Sequence, residues 1–240
     1  MKYIASCSCG KDSLAMVLTL IEKKYPLDCV LFVDLGKEFQ SIYDTWEKLT
    51  KILDNNGIMY KRLTLLHSFD YYFSEHEVKT KDGSYKCGYS WCGGCARWGT
   101  SLKKQLINNF YRQYFENEVI AEYVGIASDE LDRVTIKRDK NIKIYPLILW
   151  GMTENDCLIK CFKNGFHYLE SNGLMLYQIL DRVSCYCCGN KNLKELRAIY
   201  QFLPDYWERL KEMQNKTQKP FRQNQTIFDL EIKFKSEVTK

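Results

Sequence analysis

The sequence predicts an α/β fold: a mostly parallel, doubly wound sheet with helices on both faces, then a small helical C-terminal lobe. Three observations predict it. Short runs rich in β-branched and aromatic residues alternate with amphipathic segments, the pattern of strand–helix–strand units around a parallel sheet. The 240 residues suit one α/β domain with additions, and a hydrophobic share of 45% supports a real core. The first strand runs directly into a helix through the short polar loop Ser8-Cys9-Gly10-Lys11-Asp12-Ser13. The expected division is residues 1–150 as the α/β domain and 151–240 as the helical lobe carrying a cysteine cluster.

Each element has its own justification. Lys2-Tyr3-Ile4-Ala5 is short and suited to a buried strand. The helix after the loop places Leu14, Val17, Leu18 and Ile21 on one face. Cys29–Asp34 reads as a second buried strand. Ser41–Leu53 reads as a helix with Ile42, Thr45, Trp46, Leu49 and Leu53 on one face. Met59–Leu65 and Val119–Gly125 are further strands, and a helix runs to about Phe115. His67–Asp82 is polar, aromatic and charged and reads as a mobile excursion, with His67 and His76 on surface or packing duty. Thr153 and Asp156 make a capping box for another helix. Leu193–Tyr200 and Pro204–Asn215 read as two more, the second with proline in its first turn. The tail after Lys216 is polar and is expected to order only against a partner.

The loop is the first candidate site. It joins a strand end to a helix start, where backbone N–H groups and the helix dipole collect an anion. Ser8 and Ser13 add hydroxyls, Gly10 allows close approach and Lys11 adds charge. Asp34, Gly36 and Glu38 follow the second strand, and ligands of open α/β sheets bind at the carboxyl ends of strands.

The second candidate site is built of cysteine. Eleven cysteines in a chain without a signal-peptide layout point away from disulfides and towards metal binding or thiol chemistry. Cys92-Gly-Gly-Cys95 and Cys185-Tyr-Cys187-Cys188 each contain a Cys-x-x-Cys pair. Four thiolates suit Zn²⁺ or a 4Fe-4S cluster. The long spacer excludes a zinc ribbon, so the fold must bring the pairs together. Cys87 and Cys187 are spare ligands, whereas Cys29, Cys157 and Cys161 read as buried thiols. No apolar run is long enough for a membrane span, and a cytoplasmic protein is expected. The net charge of +5 permits a polyanionic partner.

The loop is not the Gly-x-x-x-x-Gly-Lys-Ser/Thr phosphate loop. It resembles the PP-loop, Ser-Gly-Gly-x-Asp-Ser, of the ATP pyrophosphatases and their PAPS reductase-like relatives, with Cys9 where the motif has its first glycine. Asp34-Leu-Gly36-Lys-Glu38-Phe39, Gly125 through Arg133, Tyr145-Pro146-Leu147 with Trp150, and Leu176 through Val183 are similar to family segments in the same order. The resemblance spans residues 2 to about 213 and implies a Rossmann-like fold. It implies an adenine nucleotide, ATP with Mg²⁺, held by Ser8, Cys9, Gly10, Lys11, Asp12, Ser13, Asp34, Gly36, Gly125 and Arg133. Lys11, Asp12 and Ser13 would do the catalytic work. It also favours the cluster over zinc at Cys92, Cys95, Cys185 and Cys188. Ala127 stands where the family usually has an arginine, and no cysteine follows Cys188, so the reductases' C-terminal nucleophile is absent from its usual place.

The expected function is therefore ATP cleavage between the α and β phosphates to activate an acceptor for sulfur transfer. A genuine APS or PAPS reductase using Cys187, and a non-catalytic nucleotide- and metal-binding subunit, are the alternatives. A nucleic-acid acceptor, a sulfur-donor protein and an oligomer are partners this reading leaves open.

Overall fold

A computed structural model describes residues 1–134 and 141–238. In chain order the elements are β1 (Lys2–Ser6), α1 (Lys11–Glu22), β2 (Cys29–Asp34), α2 (Gln40–Asn55) and β3 (Met59–Thr64), then a π-helical turn Tyr71–Glu75. β4 (Glu77–Lys79), β5 (Tyr85–Cys87), α3 (Trp98–Tyr114), β6 (Ile120–Tyr123), β7 (Ile142–Ile144), α4 (Pro146–Leu149) and α5 (Glu154–Lys163) follow. The chain closes with α6 (Leu176–Ile179), α7 (Leu193–Phe202), α8 (Pro204–Asn215) and α9 (Ile227–Val238). The residues form two compact units, each assembled from separate stretches. The first comprises Met1–Asp34, Phe39–Thr64 and Lys103–Ser171; the second comprises Leu35–Glu38, Leu65–Leu102 and Asn172–Lys240.

The first unit is the expected α/β fold. Its five strands run in the order β3-β2-β1-β6-β7, and every pairing is parallel. β1 pairs with β2 on one side (Ile4 opposite Cys29) and with β6 on the other (Ile4 opposite Glu122). The strand order reverses between β1 and β6, so a crevice opens at their carboxyl ends. Ile4, Cys29, Leu31, Phe110, Tyr111 and Ile120 form a buried cluster, with Leu63, Ile107 and Phe115 packed against it. β3 carries Lys61 and Arg62 on a mostly exposed edge, as unpaired edges usually require. α5 starts at the expected capping box: the Asp156 backbone N–H donates to Thr153 Oγ1 at 3.2 Å and the Thr153 N–H to Asp156 Oδ2 at 2.9 Å.

The second unit departs from expectation twice. Residues 67–87 are built structure rather than an open excursion. β4 and β5 form an antiparallel hairpin (Val78 opposite Lys86) around Asp82-Gly83, and His67 packs on Tyr71 with ring centroids 4.6 Å apart. His76 packs on Tyr72 and Tyr89. The tail after Lys216 is likewise ordered by this chain itself. The Gln214 amide donates to the Thr217 and Lys219 carbonyls and accepts the Ile227 N–H. Phe221 packs on Trp91 at 4.7 Å, and Phe234 lies buried against Trp207 and Tyr200. No described helix is long and apolar enough to cross a membrane.

Candidate functional site

In the first unit the loop after β1 reaches helix α1 with Gly10 as N-cap, and no side chain caps the helix start. An uncapped helix start leaves backbone N–H groups able to receive an external anion. Asp12 and Ser13 therefore lie inside the first turn. The loop folds over Ser13: its hydroxyl oxygen accepts the Ser8 backbone N–H at 3.1 Å, lies 3.1 Å from Ser8 Oγ, and reaches the Gly10 carbonyl at 3.2 Å. Cys9 has φ 60°, the left-handed conformation a glycine adopts freely. Where the family motif has glycine, Cys9 thus holds a left-handed backbone at a cost of about 1–2 kcal/mol.

Gly125 follows β6 and packs directly onto the loop's end. A Cβ there would lie 2.8 Å from Ser13 Cα and 3.0 Å from its nitrogen. Only glycine lets the segment after β6 approach the first turn of α1 this closely. Lys11 is buried, and its Nζ lies 3.0 Å from both Asp12 and Glu154. Burial works to lower its pKa, but these two carboxylates outweigh it and hold the ammonium above the usual lysine range. Burial also raises the Asp12 carboxyl, with Lys11 opposing and Glu154 and Glu130 adding to the rise.

Asp12, Glu130 and Glu154 each place a carboxylate oxygen within 4.8 Å of the others. Among the described residues this is the one such group of three potential metal ligands. The sequence reading missed Glu130 and Glu154; their signal was an acid in the Gly125–Arg133 segment and another in the first turn of a capped helix. Arg133 pairs with Glu130. Asp34 is held by Arg62 (Nη2 at 2.7 Å) and the Tyr43 hydroxyl at 3.1 Å. Gly36, with φ 81°, belongs to the second unit.

In the second unit the two Cys-x-x-Cys loops are in backbone contact. The Gly189 N–H donates to the Cys92 carbonyl at 2.8 Å, and the Gly94 N–H donates to the Asn190 side chain at 2.6 Å. A Cβ on Gly93 would lie 2.7 Å from the Gly189 backbone. Among the described residues no three cysteine sulfurs lie within 4.8 Å of one another. The Cys185 thiol donates to buried Glu38 at 3.1 Å, and Lys191, also buried, reaches Ser184 Oγ at 3.3 Å. Burial pushes the Lys191 ammonium below the usual lysine range, against the pull of Glu195 and the neighbouring cysteines. Cys87 is exposed on β5, and Cys187 is only 3% exposed.

The sequence profile of the phosphoadenosine phosphosulfate reductase domain matches residues 2–161, two thirds of the chain. The chain belongs to this family. The PAPS reductase-like match covers β1 through most of α5, and so includes the loop, Gly125 and the three carboxylates. "Uncharacterized protein MJ0066" of Methanocaldococcus jannaschii is 26% identical over 209 residues, covering 83% of this chain and 38% of that protein. The chain thus spans about two fifths of this relative's length. Among solved structures, the U34-tRNA thiolase NcsA from Methanococcus maripaludis, with its 4Fe-4S cluster, aligns at 15% identity and a TM-score of 0.46 over 100% of this chain and 73% of that one.

Proposed function

We propose that the chain binds ATP, or another adenine nucleotide, at the loop Ser8–Ser13 and cleaves it between the α and β phosphates to activate an acceptor for sulfur transfer. One observation carries this reading: the uncapped start of α1 lies at the β1/β6 crevice with Gly125 packed directly against it. This is a backbone cradle without a side-chain cap, in a family whose name is that of a nucleotide-sulfate reductase.

In this reading an acceptor oxygen attacks the α phosphorus in line, pyrophosphate leaves, and a sulfur nucleophile then displaces AMP. Such a displacement needs positioning and charge stabilisation rather than covalent work by the protein. Backbone N–H groups of the loop would hold phosphate, with the Ser8 and Ser13 hydroxyls and, from the same unit, Arg133. Asp12, Glu130 and Glu154 fit Mg²⁺ in kind, since three hard oxygen donors converge. When bound, Mg²⁺ neutralises charge on the phosphates. Carboxylates drawn to a cation would release Lys11 to the nucleotide. The net charge of +5 suits a polyanionic acceptor such as nucleic acid.

Cys92, Cys95, Cys185 and Cys188 would hold a metal centre. The donor set fits: four thiols on two loops in backbone contact. Four thiolates suit Zn²⁺ or a 4Fe-4S cluster; the family resemblance of the two cysteine pairs favours the cluster, which when bound would hold or deliver sulfur. Burial of Cys187 speaks against its serving as a reductase nucleophile.

Product analysis tests the reaction. With Mg²⁺, ATP and a pool of candidate acceptors, pyrophosphate with AMP or an adenylated acceptor is expected. ADP with inorganic phosphate would contradict the mechanism.

A further inference from the structure

The first unit holds a second group of thiols that the proposed reaction does not use. Cys7 and Cys9 are both buried, and their sulfurs lie 4.0 Å apart in van der Waals reach, on either side of Ser8. Cys7 Sγ also lies 3.8 Å from Ser13 Oγ. Cys9 holds its left-handed backbone at a strain that glycine would avoid, and strained residues in functional loops call for a reason. The strained conformation sets a thiol beside Cys7, which glycine would not supply.

We propose that Cys7 and Cys9 are a redox dithiol built into the anion-binding loop, closed to a disulfide by hydroperoxide and reopened by small thiols. This rests on the reading of the loop as a phosphate site. The Cys7 sulfur attacks one peroxide oxygen and the O–O bond breaks, giving a sulfenic acid and hydroxide (or alkoxide), which the Cys7 proton converts to water (or alcohol). The Cys9 sulfur then attacks the Cys7 sulfur, and its proton with the hydroxyl leaves as water. In sum two thiols and one hydroperoxide give one disulfide and two waters (or water and an alcohol). Two electrons pass from the sulfurs to the oxygens. Hydrogen peroxide is small enough to reach a thiol under a loop where a protein disulfide is not.

The reactivity of Cys7, Cys157 and Cys161 differs in the required sense. Burial raises Cys161 to about 12 and raises Cys157 further, which keeps both protonated. Cys161 is moreover engaged, donating to the Lys11 carbonyl at 3.3 Å and accepting from the Tyr168 hydroxyl at 3.5 Å. Cys7 is lowered instead, chiefly by the Cys9 thiol beside it, against burial and with help from the Cys9 backbone and Ser13. The consequence for the loop is geometric. A disulfide brings sulfurs to about 2.05 Å and Cβ atoms to roughly 3.8 Å. Closing the gap pulls on both sides of Ser8 and draws its N–H from Ser13. The anion cradle is thereby reshaped.

The test uses the full chain, purified reduced and without oxygen, treated with hydrogen peroxide, alkylated, digested and weighed. The peptide spanning Cys7 and Cys9 should lose two hydrogens and escape alkylation, with both changes reversed by dithiothreitol. Hydrogen exchange over residues 6–13 should rise, and ATP affinity should fall at least tenfold. Cys7→Ala and Cys9→Gly should each show no difference between their own peroxide-treated and untreated samples in exchange or affinity. Two alkylated thiols after treatment, a Cys7–Cys161 link, or a disulfide that leaves the loop's exchange unchanged would each overturn the proposal. If the reduced wild type binds no ATP, the phosphate-site reading fails by itself, while mass and exchange still decide the dithiol.

Discussion

At the scale of single residues, the approach of the segment after β6 to the first turn of α1 depends on Gly125. The neighbours an added Cβ would meet there are Ser13 and Asp12 backbone atoms, which cannot rotate away. Gly125→Ala should therefore destabilise the first unit by about 1–3 kcal/mol and weaken nucleotide binding together. Denaturant unfolding and an ATP titration on the same sample check this; unchanged values in both would contradict the close approach. Residue-level reading of the sequence found the loop because its types and order are local. It also flagged Gly125 and Cys29, Cys157 and Cys161, all three cysteines fully buried. It did not find that Asp12, Glu130 and Glu154 converge. They come from three separate segments, and their meeting depends on how α5 packs on α1, which no local pattern encodes. Cys7 was passed over because its approach to Cys9 depends on the left-handed turn at Cys9, which residue types alone do not show.

At the scale of elements, the start of α5 was legible because capping chemistry is short-range. Thr153→Ala should cost about 1 kcal/mol through loss of the α5 cap, read as a shift in the denaturant midpoint. The hairpin of β4 and β5 was missed although Asp82-Gly83 is a turn signal, because its strands are three residues each and carry little alternation. α9 was missed although its buried anchors Ile227, Leu230 and Phe234 fall at helical spacing, because the exposed Phe228 and Ile232 blur that periodicity. The π-helical turn is tied by Asp70, which lies 2.8 Å from Lys37 and 3.6 Å from Lys216. Burial works to raise the Asp70 pKa, but Lys37, with Lys216 helping, holds it below the usual aspartate value of 3.8. A lowered folded-state pKa stabilises above the unfolded value and is lost as pH falls through the folded one. Asp70→Asn should therefore unfold more readily than wild type at pH 7, and the gap should close as pH drops below about 3.8. A gap that is constant with pH would remove the ion pairs as the cause.

At the scale of the whole molecule, the parallel sheet order β3-β2-β1-β6-β7 puts the ends of β1 and β6 side by side at the reversal point. The alternation of strands and helices made that fold legible, whereas the interleaving of two units along the chain was not, since each is assembled from segments far apart in sequence. Within the second unit, the contact of the two Cys-x-x-Cys loops predicts a shared metal centre. Protein purified without oxygen should contain iron, and each of Cys92→Ser, Cys95→Ser, Cys185→Ser and Cys188→Ser should lower metal content while Cys29→Ser should not. Full occupancy in all four variants would end that claim. The central claim is that the loop Ser8–Ser13 holds nucleotide phosphate, and its most direct test is calorimetric titration of wild type and Lys11→Ala with ATP and Mg²⁺. The predicted result is a loss of about 1.5–3 kcal/mol, roughly ten- to 150-fold in affinity, with the fold intact by thermal melting. Equal affinity in the two proteins, with unchanged melting, would contradict it.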